Sequence, residues 1–351
     1  MQTSLAPYGY TDRIEQLYQS NFERPCPARV VRVDKNRVML ATTDGPLHVA
    51  FPRLDEQCAT GDWVQLGTNS ENEQVIAGVL ERSSLLARKK AHDPLSGAQV
   101  LAANIDVVGV VVPVDRPISH NRLERTLVAA WDSGGTPLVI LTKADLSNGN
   151  DDVVSQVIDQ AAGVDVVTTS AELGDGLEEL MPRVIPGQTL VLLGPSGAGK
   201  STLINALAGR HLQDTGDVRV VDGRGKHTTT SRELIPLPNG AVLMDTPGVR
   251  GFALWESDAG MEAVFGDIEE LFADCRFQDC RHGPEPDCAV QAALAAGRLE
   301  QRRWKSYLKL QRELARLDRQ HDEVAKRQYG REWPKIVKAQ AKARRQPSPP
   351  G

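Results

Sequence analysis

"TLVLLGPSGAGKSTLINALAG", residues 189–209, joins an aliphatic run to a glycine-rich turn ending in Lys-Ser-Thr and then to a helical pattern. Gly194 and Gly199 enclose Pro195, Ser196, Gly197 and Ala198, and Lys200, Ser201 and Thr202 follow. A turn of this kind lets backbone N–H groups wrap phosphate oxygens, with the positive N-terminus of a helix behind them. Lys200 is placed to reach the β- and γ-phosphates, and the Ser201 hydroxyl to bind Mg²⁺. The spacing therefore predicts a strand, a phosphate-binding loop and a helix in an α/β domain.

Phosphate loops serve many enzymes, so the nucleotide and the reaction have to be read elsewhere. "LSGAQ", Leu95 to Gln99, is close to the signature of transporter-type ATPases. In those proteins the signature follows the phosphate loop and the next aliphatic strand ends in Asp-Glu. Here it precedes the loop and the later strand reads "AVLMDTPG", so "LSGAQ" is a coincidence. In "DTPG" the strand delivers Asp245 to the Mg²⁺ shell, and Gly248 sets a backbone N–H against the γ-phosphate. That N–H loses its partner when the phosphate leaves, which makes the segment a switch.

Base choice is read from "LTKAD", Leu141 to Asp145, at the end of another aliphatic run. It resembles the Asn-Lys-x-Asp motif of GTPases, with Thr142 in place of Asn, then Lys143, Ala144 and Asp145. The aspartate accepts two hydrogen bonds from the guanine edge while the lysine stem covers the ring. Adenine would leave Asp145 desolvated and unpaired, at about 1–3 kcal/mol or more. Ser170-Ala171 adds backbone of the kind that supports the guanine O6. The competing reading of "LTKAD" is an ordinary turn at a strand end.

These motifs stand in an unusual order. Ordinary GTPases place the phosphate loop first, the switches next and the base motifs last, whereas here Asp145 and Ser170 precede Gly194 and the switches, 217–250, follow it. A parallel sheet tolerates this if its old ends are joined and the chain is opened elsewhere. The sequence predicts a circularly permuted G domain.

Around that domain the pattern changes. Residues 28–82 read as five short strands, "ARVVRVD", "RVMLATT", "LHVAF", "DWVQLG" and "QVIAGVL", enough for a small β-barrel of the oligonucleotide-binding type. From Ile105 aliphatic strands alternate with helices, the pattern of a doubly wound α/β sheet. After Gly251 the apolar runs become helical. Cys275, Cys280, His282 and Cys288 lie within fourteen residues, and three thiolates with one imidazole suit a closed tetrahedral zinc site. Cys26 and Cys58 stand apart as plain thiols.

Composition is that of an ordinary folded protein, 40% hydrophobic and 25% charged with a net charge of −5. No apolar stretch reaches the roughly 18–20 residues that span a bilayer, and the first residues do not read as a signal peptide. Residues 301–346 carry 15 Lys or Arg against 5 Asp or Glu, which makes this tail near +10 and the rest near −15. A basic tail on an acidic body suggests a polyanionic partner, nucleic acid first, or else a solvated helix. Within it Arg302, Arg303, Lys305 and Lys309 cluster with Trp304 and Tyr307, which serve either as stacking faces for bases or as packing for the metal module.

"LTKADL", "TSA", "GPSGAGKSTLINAL", "GRGKHTTT", "DTPG" and "CRFQDCRHGPEPDCAV", in that order behind a β-barrel, resemble the ribosome small subunit-dependent GTPase A family over almost the whole chain. The resemblance implies an OB-type barrel at 1–88, a circularly permuted P-loop G domain at 89–257, and a zinc-binding helical domain with a basic tail at 258–351. It implies a cytoplasmic, monomeric GTP hydrolase, without membrane attachment, that binds GTP and GDP with Mg²⁺ and one structural zinc ion. Its partners would be the small ribosomal subunit and 16S rRNA, and its role the late maturation of that subunit.

The same resemblance places the first switch at residues 223–233. One of Thr228, Thr229 and Thr230 completes the Mg²⁺ shell, with Thr229 the candidate. Val249 stands where many GTPases carry a water-orienting Gln and cannot do that work, so His227 is the candidate for holding the attacking water. Two other classes compete: a P-loop ATPase or kinase with an accidental "LTKAD", and a GTP-gated RNA-binding scaffold with little turnover.

Overall fold

The computed structural model describes residues 5–51, 58–88, 99–147, 151–161, 163–213, 232–245, 258–283, 285–316 and 319. Its first unit follows from alternation of side chains. In β1 (Pro27–Val33), β2 (Arg37–Thr42), β3 (Gly45–Ala50), β4 (Trp63–Thr68) and β5 (Gln74–Val79), residues such as Val30, Leu40, Val49, Val64 and Ile76 fill a common interior. Neighbouring strands pair antiparallel in the order β3-β2-β1-β4-β5, and β3 touches β5 to close the ends. This is the five-stranded barrel of an oligonucleotide-binding fold. Helix α1 (Asp12–Asn21), for which the sequence reading made no provision, lies against it, and the Tyr18 hydroxyl donates to the Val64 carbonyl at 2.7 Å.

An antiparallel pair, β6 (Leu85–Arg88) and β7 (Gln99–Ala103), leads out of the barrel and straddles the 88/89 boundary. The α/β unit then runs β8 (Val107–Pro113), α2 (His120–Asp132), β9 (Thr136–Thr142), α3 (Asp151–Gln160), β10 (Asp165–Thr168), α4 (Leu177–Leu180), β11 (Thr189–Leu193), α5 (Lys200–Ala208), β12 (Glu233–Pro236) and β13 (Val242–Asp245). The spatial order is β10-β9-β8-β11-β13-β12, parallel throughout except for antiparallel β12. β8 and β11 are buried along their whole length, which is why they read as unbroken aliphatic runs. Leu190 and Leu192 face the α5 side with Leu203 and Leu207, while Val191 and Leu193 join Leu127 of α2 and Val157 of α3 on the other. Each such side chain, fully buried, contributes about 1.5–3 kcal/mol.

Strand order reverses between β8 and β11: β9 follows on one side and β13 on the other. Ligands of open parallel sheets bind beyond the strand ends at such a reversal. The opened ends of the sheet carry the additional units, with the barrel before β8 and the helical region after β13.

The barrel is continuous with the sheet. Arg32 of β1 pairs in register with Glu233 of β12, and their side chains form an ion pair at 3.5 Å. Arg29, fully buried, donates to the Tyr8 carbonyl, to the Asn104 carbonyl at 3.3 Å and to the Thr189 hydroxyl at 2.7 Å, and lies over the Trp63 ring at 4.8 Å. Burial pushes its guanidinium down to about 10.

Helices α6 (Asp258–Ala273), α7 (Ala289–Ala295) and α8 (301–316) form the last unit. Trp304 and Tyr307 are 5% and 4% exposed, stacked on each other and edge-on to Phe272. They are packing residues and not stacking faces for bases. Arg302 and Arg303 are likewise engaged, at 3.0 Å with the buried Glu124 of α2 and at 2.6 Å with Asp267 respectively. Ser306 donates to Glu124 at 2.5 Å, and Arg125 grips Glu313, so α8 is fixed to the α/β unit. Lys305 and Lys309 remain exposed. Among the described residues no helix is long and apolar enough to cross a membrane.

Candidate active site

The loop after β11 turns tightly because Gly197 and Gly199 adopt left-handed φ values of 72° and 82°, and α5 begins at Lys200. A Cβ at Gly194 would stand 2.6 Å from the Val111 carbonyl, so only glycine lets the loop leave beside β8. Lys200 lies back across this loop, its Nζ donating to the Gly194 and Pro195 carbonyls at 2.9 and 2.7 Å. Burial lowers its ammonium to about 8. Ser201 and Thr202 follow in the first turn of α5, and Pro195, Ser196 and Ala198 complete the loop.

The base motif comes to this loop from β9, two strands away across β8. The buried Thr142 hydroxyl donates to the Ala198 carbonyl at 2.6 Å. Lys143, at a left-handed φ of 63°, sends its stem past Gly199, and Ala144 begins a short 3₁₀ turn that carries the exposed Asp145. One Asp145 oxygen accepts from the Ser170 hydroxyl at 2.6 Å. Ser170 itself is 1% exposed, and its N–H donates to Asp175, which fixes the turn containing Ala171. The structure thus brings Thr142, Lys143, Ala144, Asp145, Ser170 and Ala171 to the same end of the sheet as the phosphate loop.

Asp245 ends β13, the neighbour of β11, with Val191 opposite Met244. Burial pushes its carboxyl up, against the bond from the Gln213 amide at 2.6 Å. Asn205 of α5 holds Gln213 through both its N–H and its carbonyl, at 2.9 and 2.8 Å. The Ser201 hydroxyl, in the first turn of α5, and the Asp245 carboxylate, at the end of β13, are hard oxygen donors of the kind that Mg²⁺ prefers. His227, Thr229 and Gly248 lie outside the described residues, as do Thr228, Thr230 and Val249.

Three polar groups at this end went unread in the sequence. Asp115 and Arg116, just past β8, bond to Lys143 and to the phosphate loop: Lys143 Nζ meets Asp115 at 2.6 Å, and Arg116 donates to the Gly197 carbonyl at 2.8 Å. Gln213 is the third. Only the run of polar residues after a buried strand hinted at the first two.

A separate cluster sits between α6 and α7. The ligand atoms of Cys275, Cys280, His282 and Cys288 all lie within 4.8 Å of one another. His282 Nδ1 is 3.5 Å from the Cys275 sulfur and 3.8 Å from the Cys288 sulfur. Zinc bonds of about 2.3 Å to sulfur and 2.0 Å to nitrogen, at tetrahedral angles, require separations of about 3.5 Å between sulfur and nitrogen and about 3.8 Å between sulfurs. The four side chains fit such an ion. His282 is stacked on Phe272 at 4.1 Å, so the cluster and the α6–α8 packing share a wall.

The RsgA GTPase family model matches residues 79–255. The chain is similar to "Small ribosomal subunit biogenesis GTPase RsgA 1" of Oceanobacillus iheyensis, 41% identical over 328 residues, covering 90% of this chain and 93% of that protein. It is also similar to "Small ribosomal subunit biogenesis GTPase RsgA" of Streptomyces coelicolor, 41% identical over 355 residues, covering 98% and 96%. Among solved structures, YjeQ from Thermotoga maritima aligns with a TM-score of 0.59 at 27% identity, over 83% of this chain and 98% of that one. YloQ, described as a circularly permuted GTPase, aligns with a TM-score of 0.57 at 25% identity, over 84% and 96%.

Proposed function

This chain belongs to the RsgA GTPase family and is a GTP hydrolase, and we propose that it acts on the small ribosomal subunit, coupling hydrolysis to the subunit's late maturation. The observation that carries the guanine part of this reading is the hydrogen bond from Thr142 to Ala198, which sets a guanine-type motif against a phosphate loop encoded later in the chain. The names of the relatives carry the ribosomal part. Family membership also weighs against the ATPase and scaffold readings.

Each residue has a part in this reading. Backbone N–H groups of the Gly194–Ser201 loop, Pro195 having none, bind the phosphates together with the Lys200 ammonium. Asp145 and Lys143 seat guanine, Thr142 ties that seat to the loop, and the Ser170-Ala171 backbone meets the O6 edge. Ser201, Thr229 and Asp245 hold Mg²⁺ when it is bound, and the ion supplies neutralisation of phosphate charge. Gly248 reports the γ-phosphate through its N–H. His227 accepts a hydrogen bond from the attacking water, the role Val249 cannot fill. Cys275, Cys280, His282 and Cys288 hold a structural zinc ion that fixes the turn before α7 and, through Phe272, the bed of α8. The exposed Lys305 and Lys309, with the basic residues beyond, meet rRNA phosphates in the cytoplasm.

Hydrolysis measured with and without small subunits tests the whole. Slow GTP turnover alone and strong stimulation by small subunits, up to about 10⁵-fold by analogy with other activated GTPases, is the expected result. Equal rates in both conditions would remove the ribosomal part. His227→Ala should then leave GDP affinity within about twofold of wild type while abolishing most of the stimulated rate.

A further inference from the structure

Asp115 and Arg116 lie at the point where the strand order reverses, just past the end of β8 and between the two halves of the nucleotide site. The carboxylate is divided between two cations. Its Oδ2 takes the Lys143 ammonium at 2.6 Å, and its Oδ1 takes Arg116 Nε at 2.9 Å. Arg116 continues the chain of contacts, its Nη2 donating to the Gly197 carbonyl at 2.8 Å. A path of three polar bonds therefore runs from the base motif to the phosphate loop, beside the direct bond of Thr142 to Ala198.

We propose that Asp115 and Arg116 are positioning residues for nucleotide binding, holding the Lys143 stem over the guanine seat and the Gly197 backbone in its cradle before the nucleotide arrives. The inference rests on the guanine reading of Lys143 and Asp145. Three observations support it. Lys143 occupies a left-handed backbone conformation that a lysine rarely adopts, so its direction is imposed by its surroundings. A Cβ built on Gly199 would stand 3.8 Å from Lys143 Cγ, so the stem runs alongside the phosphate loop, and Asp115 takes its ammonium at 2.6 Å. The Asp115 side chain is only 20% exposed; burial by itself would raise its carboxyl, and the bonds from Lys143 and Arg116 overcome that and hold it below the usual carboxylate range. Asp115 is thus engaged on both sides, by Lys143 and by Arg116. A loop and a lysine ordered in advance lose less freedom on binding, which appears as affinity.

The experiment is a double-mutant cycle on fluorescent GDP binding in the full-length protein. Asp115→Asn keeps the shape and removes the charge, and Lys143→Ala removes the stem. Because the ion pair is partly solvated, Asp115→Asn should weaken GDP binding by about three- to tenfold. In the Lys143→Ala background the same change should matter by less than about twofold, since its partner is gone. Arg116→Ala should also weaken GDP binding, and Arg116→Lys should recover it only in part, because an ammonium cannot reach both Asp115 and the Gly197 carbonyl. Effects of Asp115→Asn that are equal in both backgrounds, or wild-type binding by Arg116→Ala, would overturn the inference. GDP and ADP compared on the wild-type protein keep the two readings apart. A preference for GDP with no coupling removes only the positioning role, whereas no preference for GDP removes both.

Discussion

The Thr142 hydroxyl donates to the Ala198 carbonyl at 2.6 Å, a bond between residues 56 apart in sequence and in reversed order relative to ordinary GTPases. Both groups are buried. The bond joins the end of β9 to the loop after β11 across the intervening β8, and so makes one site from two separately encoded pieces. Thr142→Val keeps the volume and leaves the carbonyl without its donor, at a cost of about 1–3 kcal/mol. The melting temperature should fall by a few degrees and GDP affinity should drop about tenfold, checked by thermal unfolding and equilibrium titration.

Asp145→Asn replaces an acceptor pair by a group that also donates. Guanine presents two donors along that edge, so GDP binding should weaken about 10- to 100-fold through the lost charge-assisted bonds. Xanthosine diphosphate, which offers a carbonyl where guanine has its amino group, should bind the variant better than the wild type. Titration of both nucleotides against both proteins checks the reversal.

Glu124 is fully buried on α2 and receives Arg302, Arg303 and Ser306 from α8. Glu124→Ala leaves the buried Ser306 hydroxyl without its acceptor, while Arg302 turns to solvent and Arg303 keeps Asp267, so the cost is about 1–3 kcal/mol. Limited proteolysis should release the segment beyond α6 faster in the variant. Unchanged cleavage would show that the apolar packing of Trp304 and Tyr307 holds α8 without the ionic lock.

Removing metal from the Cys275, Cys280, His282 and Cys288 cluster should unfold the turn between α6 and α7, because little apolar core lies there apart from Cys288 and Val290. Elemental analysis is expected to find one zinc per chain. Chelation should lower thermal stability, and Cys275→Ser should reproduce the loss without chelator. A protein that melts identically with and without chelator would exclude a structural ion.

Motifs that act through local backbone geometry were legible in the sequence. Gly194, Gly199 and Lys200 declare a loop by their spacing, and Asp145 and Ser170 follow aliphatic runs that can only be buried strands. The four metal-type ligands are clustered in sequence and clustered in space. Contacts made at long range were not legible. Nothing near Arg302 or Arg303 announces Glu124, which lies 178 and 179 positions earlier, so their charges read as a nucleic-acid face. Trp304 and Tyr307 left two readings open, and burial against Phe272 decides between them. Strand β12 escaped because four residues ending in Pro, after a threonine-rich run, carry too short a period to register. Asp115 and Arg116 went unread because their partners, Lys143 and Gly197, are 28 and 81 residues away.

Displacement of bound fluorescent GDP by unlabelled GDP and ADP tests most directly whether one guanine nucleotide bridges Asp145 and Lys200. GDP should compete at stoichiometric levels, and ADP should fail to compete even at about 1000-fold excess, since its base leaves the carboxylate unpaired. Displacement by ADP at concentrations similar to GDP would contradict a guanine seat at Asp145.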